Sequence, residues 1–206
     1  MFASIILAAG EGSRLGRCKA ALPFGEKQTF LSRLINIYLD SGVNDIYVIT
    51  GNWRNETVAA AGKFSSTVCF ANNDAPELGM YSSVRKGVSL LGGDVKYFFV
   101  HPVDMPLVSK ETIMKMKDTA LNFNGNNSWL VPEYVNKQGH PVLLPSSLIP
   151  ELLEWNGERG LGGFLSLRNE DKQIEYVNDE GTIFDVDDRE DHIKFQKFQI
   201  GIRPFS

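Results

Sequence analysis

The sequence predicts a three-layer α/β domain in which helices cover both faces of a mainly parallel, mixed sheet. Short apolar runs alternate with helical patterns from the N-terminus onward, which is typical of parallel strands joined by helices. The 206 residues are 43% apolar and 22% charged, a composition that suits a globular chain able to bury a core. We therefore expect residues 1–206 to form one domain.

The predicted elements follow from apolar runs, which indicate strands, and from apolar residues spaced three or four apart, which indicate helices. The predicted strands are 5–7, 46–49, 67–71, 95–100, 129–132, 141–144, 174–177 and 182–186. The predicted helices are 30–39, 53–61, 81–91, 110–121, 148–155 and 189–198. Gly42 stands where the first helix should end, and Asp188 with Asp191 suits a cap on the last one.

The charge and the N-terminal sequence argue against several classes of partner. A net charge of −4 is unlike that of a protein with an extended nucleic-acid surface, which needs clustered positive charge. The first apolar run has no basic segment before it and is soon interrupted by glycines, which argues against a signal peptide or a membrane span. The two cysteines have no metal-ligand spacing and suit a reducing compartment. We expect a cytoplasmic protein whose partners are neither nucleic acids nor membranes.

The stretch 7–16, LAAGEGSRLG, follows the first predicted strand and has the composition of a phosphate-binding loop. Its glycines allow backbone N–H groups to converge on an anion, because they adopt positive φ without strain. Arg14 and Lys19 add two cations. The spacing fits neither the dinucleotide fingerprint G-x-G-x-x-G nor the P-loop. We therefore predict a triphosphate site of another type.

Acidic residues that could hold a metal ion occur in two further places. Asp104 follows strand 95–100, and ligands of open parallel sheets gather at the carboxyl ends of the strands. It should therefore lie near the glycine loop, where a metal ligand is a better interpretation than a simple turn residue. In the later acidic run, Asp188 is expected to cap a helix, and the residues alone leave Asp185 and Asp187 open between a structural role and a binding role.

Four more segments occur in a fixed order after the loop. They are GMYSSVRKG at 79–87, VDMPLV at 103–108, GHPVL at 139–143 and DVDDRED at 185–191. Together with LAAGxGxRxGxxK at 7–19, they resemble the molybdenum cofactor cytidylyltransferases of the MobA-like nucleotidyltransferase group, over residues 4 to about 195. The resemblance implies a Rossmann-like fold of the nucleotide-diphospho-sugar transferase type. It also implies transfer of CMP from CTP to the terminal phosphate of molybdopterin, with release of pyrophosphate.

The resemblance also implies a role for individual residues. The nucleotide would be bound by Leu7, Ala8, Ala9, Gly10, Gly12, Arg14, Lys19, Gly79 and Ser83. The catalytic residues would be Lys19, Arg14 and Asp104. Mg²⁺ would be held by Asp104 together with Asp185 or Asp187. The acceptor would be bound by Gly139, His140 and Pro141.

The chemistry of such a transfer is consistent with these residue types. A phosphate monoester is already ionised near neutral pH, so its attack on an α-phosphorus needs charge control more than a general base. A metal ion on a carboxylate, two cations and fixed backbone N–H groups provide that control. The absence of a Ser-His-Asp or Cys-His pattern is then expected.

Some positions depart from the family pattern, and they leave alternatives open. His101-Pro102 replaces the small residues that commonly precede the aspartate, so we expect a reshaped backbone there. GLGG at 160–163 replaces a common Gly-Ala-Arg, so recognition of the acceptor should depend more on His140. The alternatives are transfer of GMP or another NMP, a sugar or polyol phosphate as acceptor, and a non-catalytic molybdenum cofactor carrier that serves a molybdenum hydroxylase. In the family that the chain resembles, Ala-Ala-Gly correlates with CTP and Ala-Gly-Gly with GTP, so the resemblance at Ala8-Ala9-Gly10 implies CTP rather than GTP.

Overall fold

The computed structural model describes residues 1–10, 12, 15–123, 127–156 and 159–199. Arg14, predicted to be a catalytic and nucleotide-binding residue, lies outside the described residues. The strands are β1 (Phe2–Ala8), β2 (Pro23–Phe24), β3 (Gln28–Thr29), β4 (Asp45–Thr50), β5 (Cys69–Asn72), β6 (Tyr97–Pro102), β7 (Trp129–Tyr134), β8 (Lys137–Gln138), β9 (Val142–Pro145) and β10 (Lys172–Tyr176). The helices are α1 (Phe30–Asp40), α2 (Arg54–Ala60), α3 (Met80–Val88), α4 (Lys110–Leu121), α5 (Ile149–Glu154), α6 (Gly160–Ser166) and α7 (Arg189–Gln199).

The central sheet has the strand order β10-β7-β9-β6-β1-β4-β5, with β8 beside β7. The strand β1 pairs in parallel with both β4 and β6, whereas β9 runs antiparallel to β6. In this register Leu7 lies beside Pro102 and Ala8 beside Thr50. The three central strands therefore end at the same edge of the sheet, where parallel sheets bind their ligands.

Helices cover both faces of the sheet, because successive side chains of β1 point to opposite sides. Ile6 is buried in one apolar cluster with Leu34 of α1 and Ile113 of α4. Ile5 is buried in a second cluster with Val84 of α3. The predicted three-layer α/β/α class with a mainly parallel, mixed sheet is thus confirmed. Within the described residues, no helix is both long and apolar enough to cross a membrane.

Helix ends follow the local signals in the sequence. Thr29 caps α1 by a reciprocal capping box: its hydroxyl accepts a hydrogen bond from the Ser32 N–H at 3.1 Å, and the Ser32 hydroxyl accepts one from the Thr29 N–H at 2.8 Å. At α7, the Asp188 carboxylate accepts hydrogen bonds from the N–H groups of Glu190 and Asp191, at 2.8 and 3.0 Å. The predicted cap at Asp188 is therefore confirmed.

Two expectations about local structure are wrong. Residues 182–186 do not form a strand: the Asp179 carboxylate accepts a hydrogen bond from the Gly181 N–H and holds a 3₁₀ turn at Glu180–Thr182. The expected reshaping of the backbone before Asp104 also does not occur. His101 and Pro102 continue β6 in regular parallel pairing with β1. The buried His101 ring interacts with the Tyr38 hydroxyl through Nδ1 at 2.9 Å and with the Met105 carbonyl through Nε2 at 3.2 Å, which suits it to this position.

Candidate active site

The loop after β1 closes on itself through a turn that requires glycine. The Gly12 carbonyl accepts hydrogen bonds from the N–H groups of Leu15 and Gly16, at 3.0 and 2.7 Å. Gly12 has a φ of 60°, and a Cβ atom there would lie 2.3 Å from the Arg17 carbonyl oxygen. A side chain would therefore force the loop open. This turn leads the chain to Lys19.

Asp104 meets the loop because β6 lies beside β1. The Val103 N–H donates to the Leu7 carbonyl at 3.0 Å and continues the strand pairing by one residue. Asp104 comes next, and its Oδ2 atom is 2.8 Å from the Lys19 Nζ atom. Two residues that are 85 positions apart in the sequence thus form an ion pair at the edge of the sheet.

Asp187 completes this ion-pair cluster from the C-terminal part of the chain. The Val186 N–H donates to the Asp104 carbonyl at 2.9 Å, and the Val186 side chain is buried in a small cluster with Phe195 of α7. These contacts hold the Asp187 Oδ1 atom 2.5 Å from the Lys19 Nζ atom. The two carboxylates therefore converge on one ammonium group.

The electrostatics of the cluster follow from this geometry. Burial would lower the pKa of Lys19, but the charges and hydrogen bonds of Asp104 and Asp187 outweigh it, and the pKa is raised. Asp185 is exposed and forms none of the contacts to Lys19 described above. Partial burial and the nearby charges of Asp187, Asp104 and Asp191 still raise the pKa of its carboxyl group. The charges of the cluster therefore act on the Asp185 carboxyl group, although it is not part of the ion pair with Lys19.

A cleft of about 290 Å³ lies over the cluster. Its wall contains the described residues that were predicted to bind the nucleotide, together with two of the three predicted metal ligands. These are Leu7, Ala8, Ala9, Gly10, Gly12, Lys19, Gly79, Ser83, Asp104 and Asp187. The structure thus brings together residues from four separate segments, as the sequence predicted, and Asp185 is not among the residues that line the cleft.

The side of the cleft formed by α3 is fixed by an asparagine that the sequence analysis missed. Asn73 is buried and donates from Nδ2 to the hydroxyls of Ser82 and Ser83, at 2.7 and 2.9 Å. Its Oδ1 atom accepts a hydrogen bond from the Ala75 N–H at 3.1 Å. Asn73 follows β5 directly, so a polar residue at the carboxyl end of a predicted strand was the available signal.

The two carboxylates of the cluster are suitable ligands for Mg²⁺. This ion binds oxygen ligands, and nucleotide enzymes typically hold it through one or two carboxylates and the substrate phosphates. Asp104 and Asp187 already converge on one cation, the Lys19 ammonium. Among the described residues, no group of three or more acidic, histidine or cysteine side chains could hold a metal ion.

The predicted acceptor segment 139–141 does not line this cleft. Gly139 packs so closely that a Cβ atom would lie 1.8 Å from the Thr182 carbonyl oxygen, and the His140 N–H donates to that carbonyl at 2.8 Å. The Nδ1 atom of His140 is buried and has no hydrogen-bond partner among the described residues. Burial lowers the pKa of His140, so its ring is neutral near pH 7, although it lies close enough to Asp104 to sense that charge. Pro141 is also buried, and a role for 139–141 in acceptor binding stays a prediction.

Cys18 lines the cleft and is buried, with its Sγ atom 3.5 Å from the Thr57 hydroxyl. It is thus part of the wall that presents Lys19. The sequence analysis gave it no role in the site.

Comparisons with known proteins identify a family and a shared fold. Residues 4–174 match the family of MobA-like NTP transferase domains. The chain is similar to a 2-C-methyl-D-erythritol 4-phosphate cytidylyltransferase from Endomicrobium trichonymphae, with 28% identity over 120 residues. That match spans 57% of this chain and about half, 52%, of that protein.

Solved structures share the fold at low sequence identity. Rv0371c from Mycobacterium tuberculosis superposes with a TM-score of 0.81 and 19% identity, covering 95% of this chain and 97% of that chain. A second structure of that protein, in complex with manganese, superposes with a TM-score of 0.70. A nucleotidyl transferase from Methanothermobacter thermautotroptrophicus gives a TM-score of 0.81 and 20% identity, covering 98% of each chain. The chain therefore belongs to the family of MobA-like NTP transferase domains.

Proposed function

We propose that this protein transfers CMP from CTP to a phosphomonoester acceptor with release of pyrophosphate, and that molybdopterin is the acceptor. The observation that carries the proposal is the cleft in which the glycine loop, Lys19, Asp104 and Asp187 meet. A molybdenum hydroxylase would then be the enzyme that receives the finished cofactor.

The ion-pair cluster supports a reaction controlled by charge. In the absence of substrate, the Lys19 ammonium neutralises two carboxylates that would otherwise repel each other. When CTP binds, Lys19 would turn from these carboxylates to the phosphates, and Asp104 with Asp187 would hold Mg²⁺. Bound there, Mg²⁺ would supply positive charge at the triphosphate. The manganese complex of Rv0371c supports a divalent cation in this fold.

The described residues of the cleft wall suit an acceptor that arrives already ionised. They include one cation and two acids but no histidine, and His140 is held neutral by burial. A phosphomonoester carries its own negative charge at neutral pH. Alignment by backbone N–H groups of the loop would therefore contribute more than proton transfer.

A second acceptor class has a specific observation in its favour. The similar protein from Endomicrobium trichonymphae is a cytidylyltransferase for 2-C-methyl-D-erythritol 4-phosphate. A polyol phosphate has the same attacking group as molybdopterin, a phosphomonoester, on a smaller molecule. It is the alternative that we would test beside molybdopterin.

The test is pyrophosphate release with each of CTP, GTP, ATP and UTP, with Mg²⁺ and with either molybdopterin or 2-C-methyl-D-erythritol 4-phosphate. We expect release with CTP and molybdopterin. Asp104→Asn serves as the inactive control, and Asp45→Asn, which changes an acid of β4 outside the cleft, serves as the matched active control.

The other outcomes are equally informative. Release that depends on the polyol phosphate would replace the acceptor and leave the cytidylyl transfer in place. Preference for GTP would replace the nucleotide. Binding of molybdopterin with no pyrophosphate release from any of the nucleotides would contradict the enzymatic proposal and favour a carrier.

A further inference from the structure

A second cavity uses other residues of the same loop. It measures about 610 Å³ and lies between the end of the loop and α7. Its described wall consists of Leu15, Arg17, Arg189, His192, Ile193 and Gln196. The second cavity shares none of these residues with the nucleotide cleft.

The described wall of the second cavity is basic. Arg17 and Arg189 are both exposed, and neither forms a salt bridge with a carboxylate of the described residues. No acidic side chain is among the lining residues. Two guanidinium groups that form no salt bridge with a described carboxylate therefore face solvent beside one cavity.

The acidic residues nearest in sequence are already engaged. Lys194 forms salt bridges with Glu190 at 3.1 Å and with Asp191 at 3.7 Å. The Asp188 carboxylate caps α7 by accepting from two backbone N–H groups. These carboxylates already have other partners, so they neutralise the positive charges of Arg17 and Arg189 less effectively.

His192 belongs to the same basic cluster. Burial and then the positive charge of Arg17 lower the pKa of His192, which indicates that the two side chains are close. The ring stacks on Phe195, with centroids 6.2 Å apart and an interplanar angle of 11°, and this contact fixes its orientation. Its Nε2 atom is buried without a hydrogen-bond partner in the described part of the chain, which is uncommon for a buried polar atom.

We propose that Arg17, Arg189 and His192 form a second anion-binding site, which binds a small phosphate anion such as pyrophosphate. Guanidinium groups match the geometry of phosphate oxygens and bind them through paired N–H donors. His192 lines the same cavity, so an anion held between the two guanidinium groups would lie beside its ring. The proposal does not require that the cleft binds CTP, because the two cavities have separate walls.

The three histidines of the chain allow a direct test by ¹⁵N NMR of the imidazole groups, with pyrophosphate as the probe at a fixed pH of 7.5. His192 reports on the second cavity. His140 senses the charge of Asp104 and therefore reports on the cleft, while the fully buried His101 reports on the fold. A His→Gln variant of each residue assigns the signals.

We expect a saturable shift of the His192 signals. Arg17→Ala and Arg189→Ala should each weaken the apparent pyrophosphate affinity about tenfold or more, since each removes a charged hydrogen-bond donor. Both arginines are exposed, so these variants should keep the fold, and an unchanged His101 signal verifies this. Lys197→Ala is the matched control, because Lys197 is an exposed cation of α7 that does not line the cavity.

Three results would overturn the proposal. The first is no shift at His192. The second is an equal loss of affinity in Lys197→Ala, which would indicate diffuse attraction to a basic surface. The third is a response of His140 alone, which would place the pyrophosphate only in the cleft. Failure of the cytidylyl proposal would instead show as no response of His140 to CTP with Mg²⁺, whatever His192 does.

Discussion

The cleft around Lys19 and the segment 139–141 were both predicted as binding sites from sequence motifs, but they differ in burial and in their contacts. In the cleft, Lys19, Asp104 and Asp187 hold their charged groups at a cavity wall. In the other segment, Gly139 is pressed against the Thr182 carbonyl, and His140 is held neutral by burial. The two motifs therefore differ in burial: the charged groups of the first line an open cavity, whereas the second is packed against Thr182.

The largest effect is expected at Lys19. Lys19→Ala should reduce turnover on the order of a hundredfold or more, because a preorganised charged donor to the phosphates is lost. The measurement is the rate of pyrophosphate release with CTP. Lys27→Ala, at an exposed lysine of the β2–β3 hairpin, is the matched control and should keep the normal rate. A loss below about tenfold in Lys19→Ala would mean that Lys19 only neutralises the two acids.

Asp187 and Asp185 form a natural pair for the second prediction. Asp187→Asn should reduce turnover about tenfold to a hundredfold, since it removes a carboxylate that lines the cleft. Asp185→Asn should change turnover less than about threefold, because Asp185 is exposed and outside the ion pair. Kinetics at several Mg²⁺ concentrations would compare the two variants. Similar losses of turnover in both variants would indicate that Asp185 is also a metal ligand.

Much of the cleft was predictable from the sequence because parallel strands end at one edge. Two apolar runs predicted β1 and β6 with their carboxyl ends at the same edge, and the pairing of these strands in the structure brings Asp104 to the loop. The choice between Asp185 and Asp187 was not predictable. It depends on the hydrogen bond from the Val186 N–H to the Asp104 carbonyl, a contact between segments about 80 residues apart that no local pattern encodes.

The strand predicted at 182–186 is absent for a similar reason, because contacts with residues distant in the sequence decide the local structure. The prediction rested on its apolar residues, but Phe184 and Val186 are instead buried in a small cluster with Phe195 of α7. The turn at Glu180–Thr182 depends on the Asp179 carboxylate, which also accepts hydrogen bonds from the Ser109 N–H and hydroxyl, both at 2.8 Å. Tertiary contact with the start of α4 thus overrides the local strand pattern.

The third prediction concerns Gly139. Gly139→Ala should lower the free energy of unfolding by about 1–3 kcal/mol or more, because the new Cβ atom would meet the Thr182 carbonyl oxygen. Gly162→Ala, within α6, has open space around its Cβ position and should be neutral or stabilising by up to about 1 kcal/mol. Urea unfolding of both variants would test the packing role. Unchanged stability in Gly139→Ala would argue for substrate contact instead.

The smallest effect is a pH dependence of stability that arises at His101. Burial lowers the pKa of His101 to about 3, whereas the unfolded chain binds a proton near pH 6.5. The unfolded state therefore binds more protons between these values, and the free energy of unfolding falls as the pH falls through this window. The contribution between pH 7 and pH 6 is about 0.7 kcal/mol. Urea unfolding at both pH values should show a smaller decrease in His101→Gln, and an equal decrease in both proteins would contradict the assignment.

In the proposed reaction, Asp104 and Asp187 release Lys19 to the phosphates and hold a metal ion together with CTP. Calorimetric titration of CTP with and without Mg²⁺ measures this coupling. We expect Mg²⁺ to tighten CTP binding by about tenfold or more in the native protein. The gain should disappear in Asp187→Asn and persist in Asp185→Asn. Equal CTP affinity with and without Mg²⁺ in the native protein, or a full gain in Asp187→Asn, would contradict the account.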